Sequence, residues 1–472
     1  MNPHSEHFLH TFLHPASVAI VGATENPLSN NYYLLANLVN RGYKGKIYAV
    51  NPKGGEILGV KTFTGLKYID EVPDLVVISV PYTGVMDVLK ECIDKGVKRV
   101  TIIAGGFSEG GDDGKGMQRQ MADLLKENGI RAIGPNALSP INIAENFAIS
   151  FHPLEKIKQG GLSLVFQSGL YEPRTPWLFS EFNLYLNKLL DLGNKMDINE
   201  VDALAYLVDD PDTRVIGIHL ESIEGDGREF LRLIKKAARE KHVVILKSGR
   251  TAAGARAAAS HTGAMVQGSD VLFDAAIKQA GAIRAYTIED FFEIARALDR
   301  FGSLMMKGNR IVIGTFPGGE AVVTTDVCQQ MGLSPAIVNS KTYDSLSSIF
   351  PPWKVLGNPF DIGVSIQFHD PRKVFGTLID AMVKDRGVDA LALELIIPAI
   401  RWNVFPKEMF QEFFRAVDAR KPIVLWIPGM RAGGYEILEQ LEDRQVPVFS
   451  SAPNAMKSLS ALYRSSQFKV AG

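Results

Sequence analysis

The sequence predicts an α/β protein built from three successive doubly wound units, and three observations carry that prediction. The chain has 472 residues, enough for about three domains of ordinary size. Short, continuous apolar runs alternate with stretches of helical length, the pattern left by parallel strands buried on both faces. The alternation restarts near residue 145 and again after the polar stretch Gly302 to Asn309, defining units 1–145, 146–305 and 306–472.

In the first unit the strands are Ser17 to Val21, Lys46 to Val50, Leu75 to Val80, Val100 to Ile103 and Arg131 to Ile133. Helices are expected between them at Tyr82 to Lys95 and Gly116 to Gly129. The second unit has strands at Gly161 to Phe166, Val215 to Leu220 and Val243 to Leu246, and closes on a helix from Ile288 to Arg300. Strands of the third are Arg310 to Ile313, Val388 to Ile397, Ile423 to Ile427 and Val446 to Phe449. In such sheets ligands bind outside the carboxyl ends of the strands, so the loops following these runs are the candidate sites.

Composition narrows the function. A net charge of −1 sets up no global field toward nucleic acid or an anionic membrane, so phosphate binding must be local. Cys92 and Cys328 are the two cysteines; they suggest no disulfide framework and fit a reducing compartment. No apolar run is long enough to span a bilayer, and the N-terminus lacks signal-peptide features, so a cytoplasmic enzyme is expected. His4, His7, His10 and His14 recur at helical spacing. They are read as part of a short amphipathic helix packing Phe8, Leu9, Phe12 and Leu13 on the sheet, with no metal site.

The loop after the first strand, Gly22-Ala23-Thr24, can present backbone N–H groups to phosphate, although it lacks the full glycine fingerprint of a dinucleotide site. After the second strand comes Asn51-Pro52-Lys53. A nicotinamide site would place an acidic residue there for the ribose hydroxyls. Lys53 instead favours a phosphorylated ribose or a pyrophosphate, both present in coenzyme A; the lesser alternative is a solvated lysine in a surface turn. Val80-Pro81-Tyr82, Ala104-Gly105-Gly106-Phe107-Ser108-Glu109 and Gly134-Pro135-Asn136 fall at the remaining strand ends.

In the second unit a small-residue run, Ala252 to Ala259, leads into Ser260-His261-Thr262-Gly263. It reads as a loop in which a phosphate could approach a neutral imidazole nitrogen. Alone it is an ordinary surface histidine. Glu221, directly after the strand ending His219-Leu220, is the candidate carboxylate to orient the ring; on spacing it is equally a surface glutamate opening the loop Ser222 to Gly225. Phe166-Gln167-Ser168-Gly169 would open a helix whose N-terminal amides hold the phosphoryl group.

Together these motifs resemble the succinyl-CoA synthetase and ADP-forming acyl-CoA synthetase family. The resemblance extends over nearly the whole chain and includes Asp191-Leu192-Gly193-Asn194-Lys195, which is similar to that family's Gly-Asn-Lys loop. It implies a Rossmann-like coenzyme A-binding domain followed by two flavodoxin-like domains. By that resemblance Gly22, Ala23, Thr24, Asn51 and Lys53 hold the nucleotide part of coenzyme A, and Val80, Pro81, Gly106, Phe107 and Asn136 line the path to the thiol. His261 becomes the phosphohistidine, Glu221 its stabiliser, and Ser168 and Gly169 the phosphate cap. Two departures mark the substrate end. Ala137 stands where relatives often carry cysteine, and Leu170 to Trp177 contains Pro173 and Pro176, which would disturb the first turns of a capping helix.

The third unit, with Phe316-Pro317-Gly318-Gly319-Glu320 and Gly357-Asn358-Pro359-Phe360-Asp361, is read as structural and subunit-contacting. The three units leave no room for the ATP-grasp module this family needs. The resemblance therefore implies a separate ATP-grasp β subunit carrying Mg2+ with ATP or ADP, in an α2β2 assembly. It implies a cycle in which acyl-CoA and phosphate give acyl-phosphate and free coenzyme A, and His261 carries the phosphoryl group to ADP. Acetate is the default acid. The alternatives are a non-catalytic coenzyme A-binding homologue, favoured only by the altered segment after Gly169, and a nicotinamide oxidoreductase, disfavoured by Lys53.

Overall fold

The computed structural model describes residues 6–154, 157–167, 181–262, 269–316, 318–355, 357–396, 410–428 and 435–471. The chain divides into two compact units, Met1–Phe291 and Phe292–Gly472. Among the described residues the first contains two seven-stranded sheets and the second one six-stranded sheet.

In the first sheet the strand order from edge to edge is Gly55–Ile57, Val60–Phe63, Lys46–Val50, Ser17–Val21, Leu75–Ile78, Arg99–Ile102 and Arg131–Ile133. All neighbours run parallel except the Gly55–Ile57 and Val60–Phe63 pair. Ser17–Val21 is buried at every position, as its unbroken apolar sequence requires of a central strand. The chain steps from it to Lys46–Val50 on one side and later to Leu75–Ile78 on the other. That reversal opens a crevice at the carboxyl ends of Ser17–Val21 and Leu75–Ile78.

The second sheet repeats the arrangement. Its first long strand, Gln159–Phe166, lies between Leu186–Asp191 and Val215–Leu220, with His242–Lys247 and Ile283–Ala285 beyond. The reversal here lies between Phe166 and Leu220, so Gln167 and Glu221 flank the crevice. Leu186–Asp191, absent from the sequence reading, is fully buried.

The short N-terminal helix Leu9–Leu13 buries Leu9, Phe12 and Leu13. It docks on helix Glu200–Asp209 of the second sheet's layer, where His7 and His10 meet the Tyr206 ring. Cys92 and Cys328 are both buried and free, and burial pushes the thiols up to about 12 and about 11.

In the second compact unit, parallel strands Arg310–Thr315, Ala390–Glu394, Ile423–Trp426 and Val448–Phe449 adjoin in that order. Helices Gly318–Gln330 and Pro371–Lys384 accompany them, and the turn at Asn358 ends in strand Phe360–Asp361, paired with Gly314 and Thr315.

Candidate active site

The first crevice is assembled around a glycine that no other residue could replace. Gly22 has φ +96°, and a Cβ there would lie 2.1 Å from the Ser79 carbonyl oxygen. Its N–H donates to the Val50 carbonyl at 3.0 Å. The Asn51 side-chain amide donates to the Ala23 carbonyl (2.8 Å), and the Lys53 N–H donates to Asn51 Oδ1 (2.9 Å). Asn51 therefore braces the two loops against each other, while the Lys53 side chain stands in solvent beside them. Thr24 is half-buried and Ala23 buried, so the Gly22–Thr24 turn offers mainly backbone. Asn31 was not anticipated. It donates through Nδ2 to the Ser79 carbonyl (2.8 Å) and accepts from Ser79 Oγ (2.9 Å), fixing the end of the neighbouring strand. Only its position ahead of a helix could have flagged it.

Val80 is half-buried, and Pro81 and Tyr82 are exposed at the start of helix Tyr82–Lys95, whose first turn has no side-chain cap. The first-turn amides that lack a side-chain cap and the helix dipole make a ready anion site. Gly106 (φ +102°) is exposed and packs on the Tyr82 ring. Asn136 is exposed in the left-handed region (φ +60°), and its Oδ1 would lie 3.2 Å from a Cβ on Gly105. These bare glycines, the uncapped helix and Lys53 fit a long ligand carrying phosphates. Phe107 differs from the expectation. Its ring is fully buried in the core of the first sheet's layer, edge-on to Tyr82, so at this position the backbone, and not the ring, faces the loops.

The second crevice is held by a buried polar network. Gln167 Oε1 accepts the backbone N–H of Glu221 and of Ser222, both at 2.9 Å, and Gln167 Nε2 donates to Ser222 Oγ (2.9 Å). Glu221 is buried there at 7% exposure. Lys195 Nζ donates to Glu200 Oε2 (2.9 Å) and to the Ser222 carbonyl (2.9 Å). Glu200 Oε1 in turn accepts from the Glu224 and Gly225 N–H groups at 2.7 and 3.0 Å. Ser168 and Gly169, the expected phosphate cap, and Leu170 to Trp177 lie outside the described residues.

The two crevices are joined. Gly193 (φ +55°) lets the loop after Leu186–Asp191 seat against Pro135 and Asn136; a Cβ there would lie 2.2 Å from the Pro135 carbonyl oxygen. Asn194 N–H donates to that oxygen at 2.9 Å, and its side chain donates to Glu109 Oε2 at 2.6 Å. Glu109 Oε1 accepts the Gly106 N–H, also at 2.6 Å.

The run read as a small-residue loop before His261 is a helix, Ala252–Thr262. Alanine has the highest helix propensity of any residue, and this outweighs the loop reading. The helix passes beside the Ser108–Gly110 turn of the first sheet. The His261 side chain itself lies outside the described residues. At the base of this helix, His219 Nε2 lies 2.6 Å from Ser248 Oγ, and the Ser248 N–H donates to the Leu220 carbonyl at 2.8 Å. Complete burial pushes the His219 imidazole down to about 4, so it is neutral and tethers the strand end.

Residues 16–140 match a CoA-binding domain, and residues 159–298 match the succinyl-CoA ligase-like flavodoxin domain. The chain is 35% identical to the α subunit of ADP-forming acetate–CoA ligase I of Pyrococcus furiosus, over 98% of both chains. It belongs to the family of ADP-forming acetate–CoA ligase α subunits. A second family member, the ADP-forming acetate–CoA ligase II of Archaeoglobus fulgidus, is 32% identical over 96% of this chain, which spans 66% of that longer protein. The dinucleotide-forming acetyl-coenzyme A synthetase 1 of Ca. Korarchaeum cryptofilum, solved with phosphate and ADP, superposes with a TM-score of 0.86. It covers 98% of this chain and 97% of its own at 28% identity. The first two sheets are thus the family's CoA-binding domain and its succinyl-CoA ligase-like flavodoxin domain. Among the described residues no helix is long and apolar enough to cross a membrane.

Proposed function

We propose that this chain is the α subunit of a cytoplasmic ADP-forming acyl-CoA ligase that works with a separate ATP-grasp β subunit in an α2β2 assembly. The observation that supports it best is the join between the two crevices: the Gly193–Lys195 loop touches Pro135 on the coenzyme A side and Ser222, next to Glu221, on the other. A site of this kind suits a reaction that must hand a group from a thioester to a second acceptor.

Coenzyme A lies with its phosphates over the Gly22–Thr24 turn, near Lys53 and the start of helix Tyr82–Lys95, and its thiol end runs past Gly106 and Asn136. Phosphate attacks the acyl-CoA carbonyl carbon, the thioester C–S bond breaks, and acyl-phosphate and the coenzyme A thiolate leave. An imidazole nitrogen of His261 then attacks phosphorus and the carboxylic acid departs. Glu221 accepts the other ring N–H and offsets the positive charge on the phosphorylated ring. Ser168 and Gly169 cap the phosphoryl group until ADP, bound with magnesium on the partner, takes it. In reverse the same residues make acyl-CoA from acid, ATP and coenzyme A. Acetate is the default acid.

The test is turnover of the reconstituted complex across a panel of small carboxylic acids, followed by acid- and coenzyme A-dependent release of ADP from ATP. Release that depends on both supports the reading. Release that ignores coenzyme A, or none with any acid, removes it.

A further inference from the structure

Lys195 is an expensive residue to place where it lies. Its side chain is 1% exposed and that of its partner Glu200 is fully buried. Its backbone also sits in the left-handed region, at φ +53°, where a side chain other than glycine, asparagine or aspartate is disfavoured. Burying an ion pair gains little over packing apolar residues of similar size. The ammonium nevertheless has a full set of acceptors: Glu200 Oε2 and the Ser222 carbonyl at 2.9 Å, and Ser222 Oγ at 3.4 Å. Two of the three belong to the residue after Glu221. Gln167 Oε1 takes the Glu221 and Ser222 N–H groups. The turn carrying Glu221 is held by an amide that fixes its N–H groups and an ammonium that fixes its carbonyl. The neighbouring Asn194 is anchored on the coenzyme A side, to the Pro135 carbonyl and Glu109.

We infer that Lys195 is a positioning residue for phosphoryl transfer, holding the Glu221–Ser222 turn at the height set by the coenzyme A-binding domain. The inference rests on the proposed role of Glu221 beside a phosphorylated His261. It makes no contact with substrate part of the role: Lys195 acts through Ser222 on where the Glu221 carboxylate stands. Loss of the ammonium should therefore slow formation of the phosphohistidine and leave coenzyme A affinity alone.

The experiment uses the full chain in complex with its ATP-grasp partner. The single-turnover rate of His261 labelling by radioactive ATP, the KM for coenzyme A and the thermal midpoint are measured for wild type, Lys195→Met and Lys195→Met/Glu200→Gln. Lys195→Met is expected to label about 10–100-fold more slowly, the usual loss when an outer support is removed from a reacting group, with the KM for coenzyme A within about twofold of wild type. It also strands the Glu200 carboxylate, so its midpoint falls. The double variant neutralises that charge; its midpoint returns toward wild type while its labelling stays slow, because both Ser222 contacts remain lost. Labelling that recovers together with the midpoint makes Lys195 merely structural and overturns the inference, as does a raised KM with an unchanged labelling rate. A wild-type complex that takes no label on His261 overturns the proposed function itself, and this inference with it.

Discussion

Gly193→Ala tests the join between the two crevices. Two separable penalties apply. The backbone at Gly193 has φ +55°, which costs an alanine about 1–2 kcal/mol. The added Cβ would also stand 2.2 Å from the Pro135 carbonyl oxygen and 2.5 Å from that of Asn136. Both neighbours are main chain, so the loops must part by roughly 1 Å to reach an ordinary contact. Crowding of that kind adds about 1–3 kcal/mol. Gly42→Ala is the internal control. Its φ is +70°, and a Cβ there meets nothing within 4 Å, so it carries the backbone penalty alone. For a unit of this size a loss of 1 kcal/mol lowers the midpoint by roughly 2–4 °C. Thermal melts of the purified chain should show a fall of roughly 2–8 °C for Gly42→Ala and of roughly 4–20 °C for Gly193→Ala, the latter always the larger under identical conditions. The Gly193 variant should also lose coenzyme A-dependent turnover, because Asn194 and Lys195 move with it. If the two variants melt together, the Gly193 loop is not seated on Pro135 and Asn136, and the two crevices are not joined there.

Other outcomes follow from single residues. His219 is held neutral by burial, its imidazole pushed from 6.5 to about 4. In that window the unfolded chain binds the proton and the folded chain does not, so stability is present above pH 6.5 and is lost as pH falls toward 4. Denaturant melts between these limits should show a loss approaching ~3 kcal/mol, and His219→Gln should remove that pH-dependent part; a pH profile identical to wild type contradicts the assignment. Lys53→Ala should raise the KM for coenzyme A about tenfold, or ~1.4 kcal/mol, without shifting the melt, since the side chain is exposed; an unchanged KM removes Lys53 from the site. In the second compact unit, Glu442 is fully buried against Arg296 and Arg300. Glu442→Leu leaves both guanidinium groups without this carboxylate and should cost about 3–5 kcal/mol in denaturant unfolding; a loss within 1 kcal/mol would mean that the pair contributes as little as a surface bridge.

The strands that were legible in the sequence are those that are mostly apolar, such as Ser17–Val21 and Val215–Leu220. Leu186–Asp191 escaped because its polar residues imitate a loop. In the fold they are buried in a network of their own: Asn187 donates to Asp210 Oδ2 and Thr213 Oγ1 at 3.0 Å each, and Lys188 Nζ donates to Asp210 Oδ2 at 2.8 Å. Patterning of apolar residues cannot register a strand that satisfies its polar groups through distant partners. The same limit hid the role of Lys195. Its motif was visible, but its contact with Ser222 spans 27 positions. Among the loop residues of the coenzyme A-binding domain, Gly22 was legible as a small residue opening a strand-to-helix turn, whereas Asn136 was reached only through the family resemblance. Phe107 could not, since an aromatic residue after a glycine pair serves equally as a wall of a ligand channel or as a plug of the core, and only the packing distinguishes them. Before His261 the alanine run was taken for its small size, whereas its propensity for helix decided the structure.

The residence of the phosphoryl group on His261 is the most direct test of the proposed mechanism. The complex of this chain with its ATP-grasp subunit is incubated with γ-labelled ATP and magnesium, quenched in base, and examined for acid-labile, base-stable phosphate on the α chain. Label is expected on His261 in wild type, none in His261→Ala, and discharge of the label by acid with coenzyme A or by ADP. Equal labelling of wild type and His261→Ala, or label that neither acceptor discharges, would contradict it.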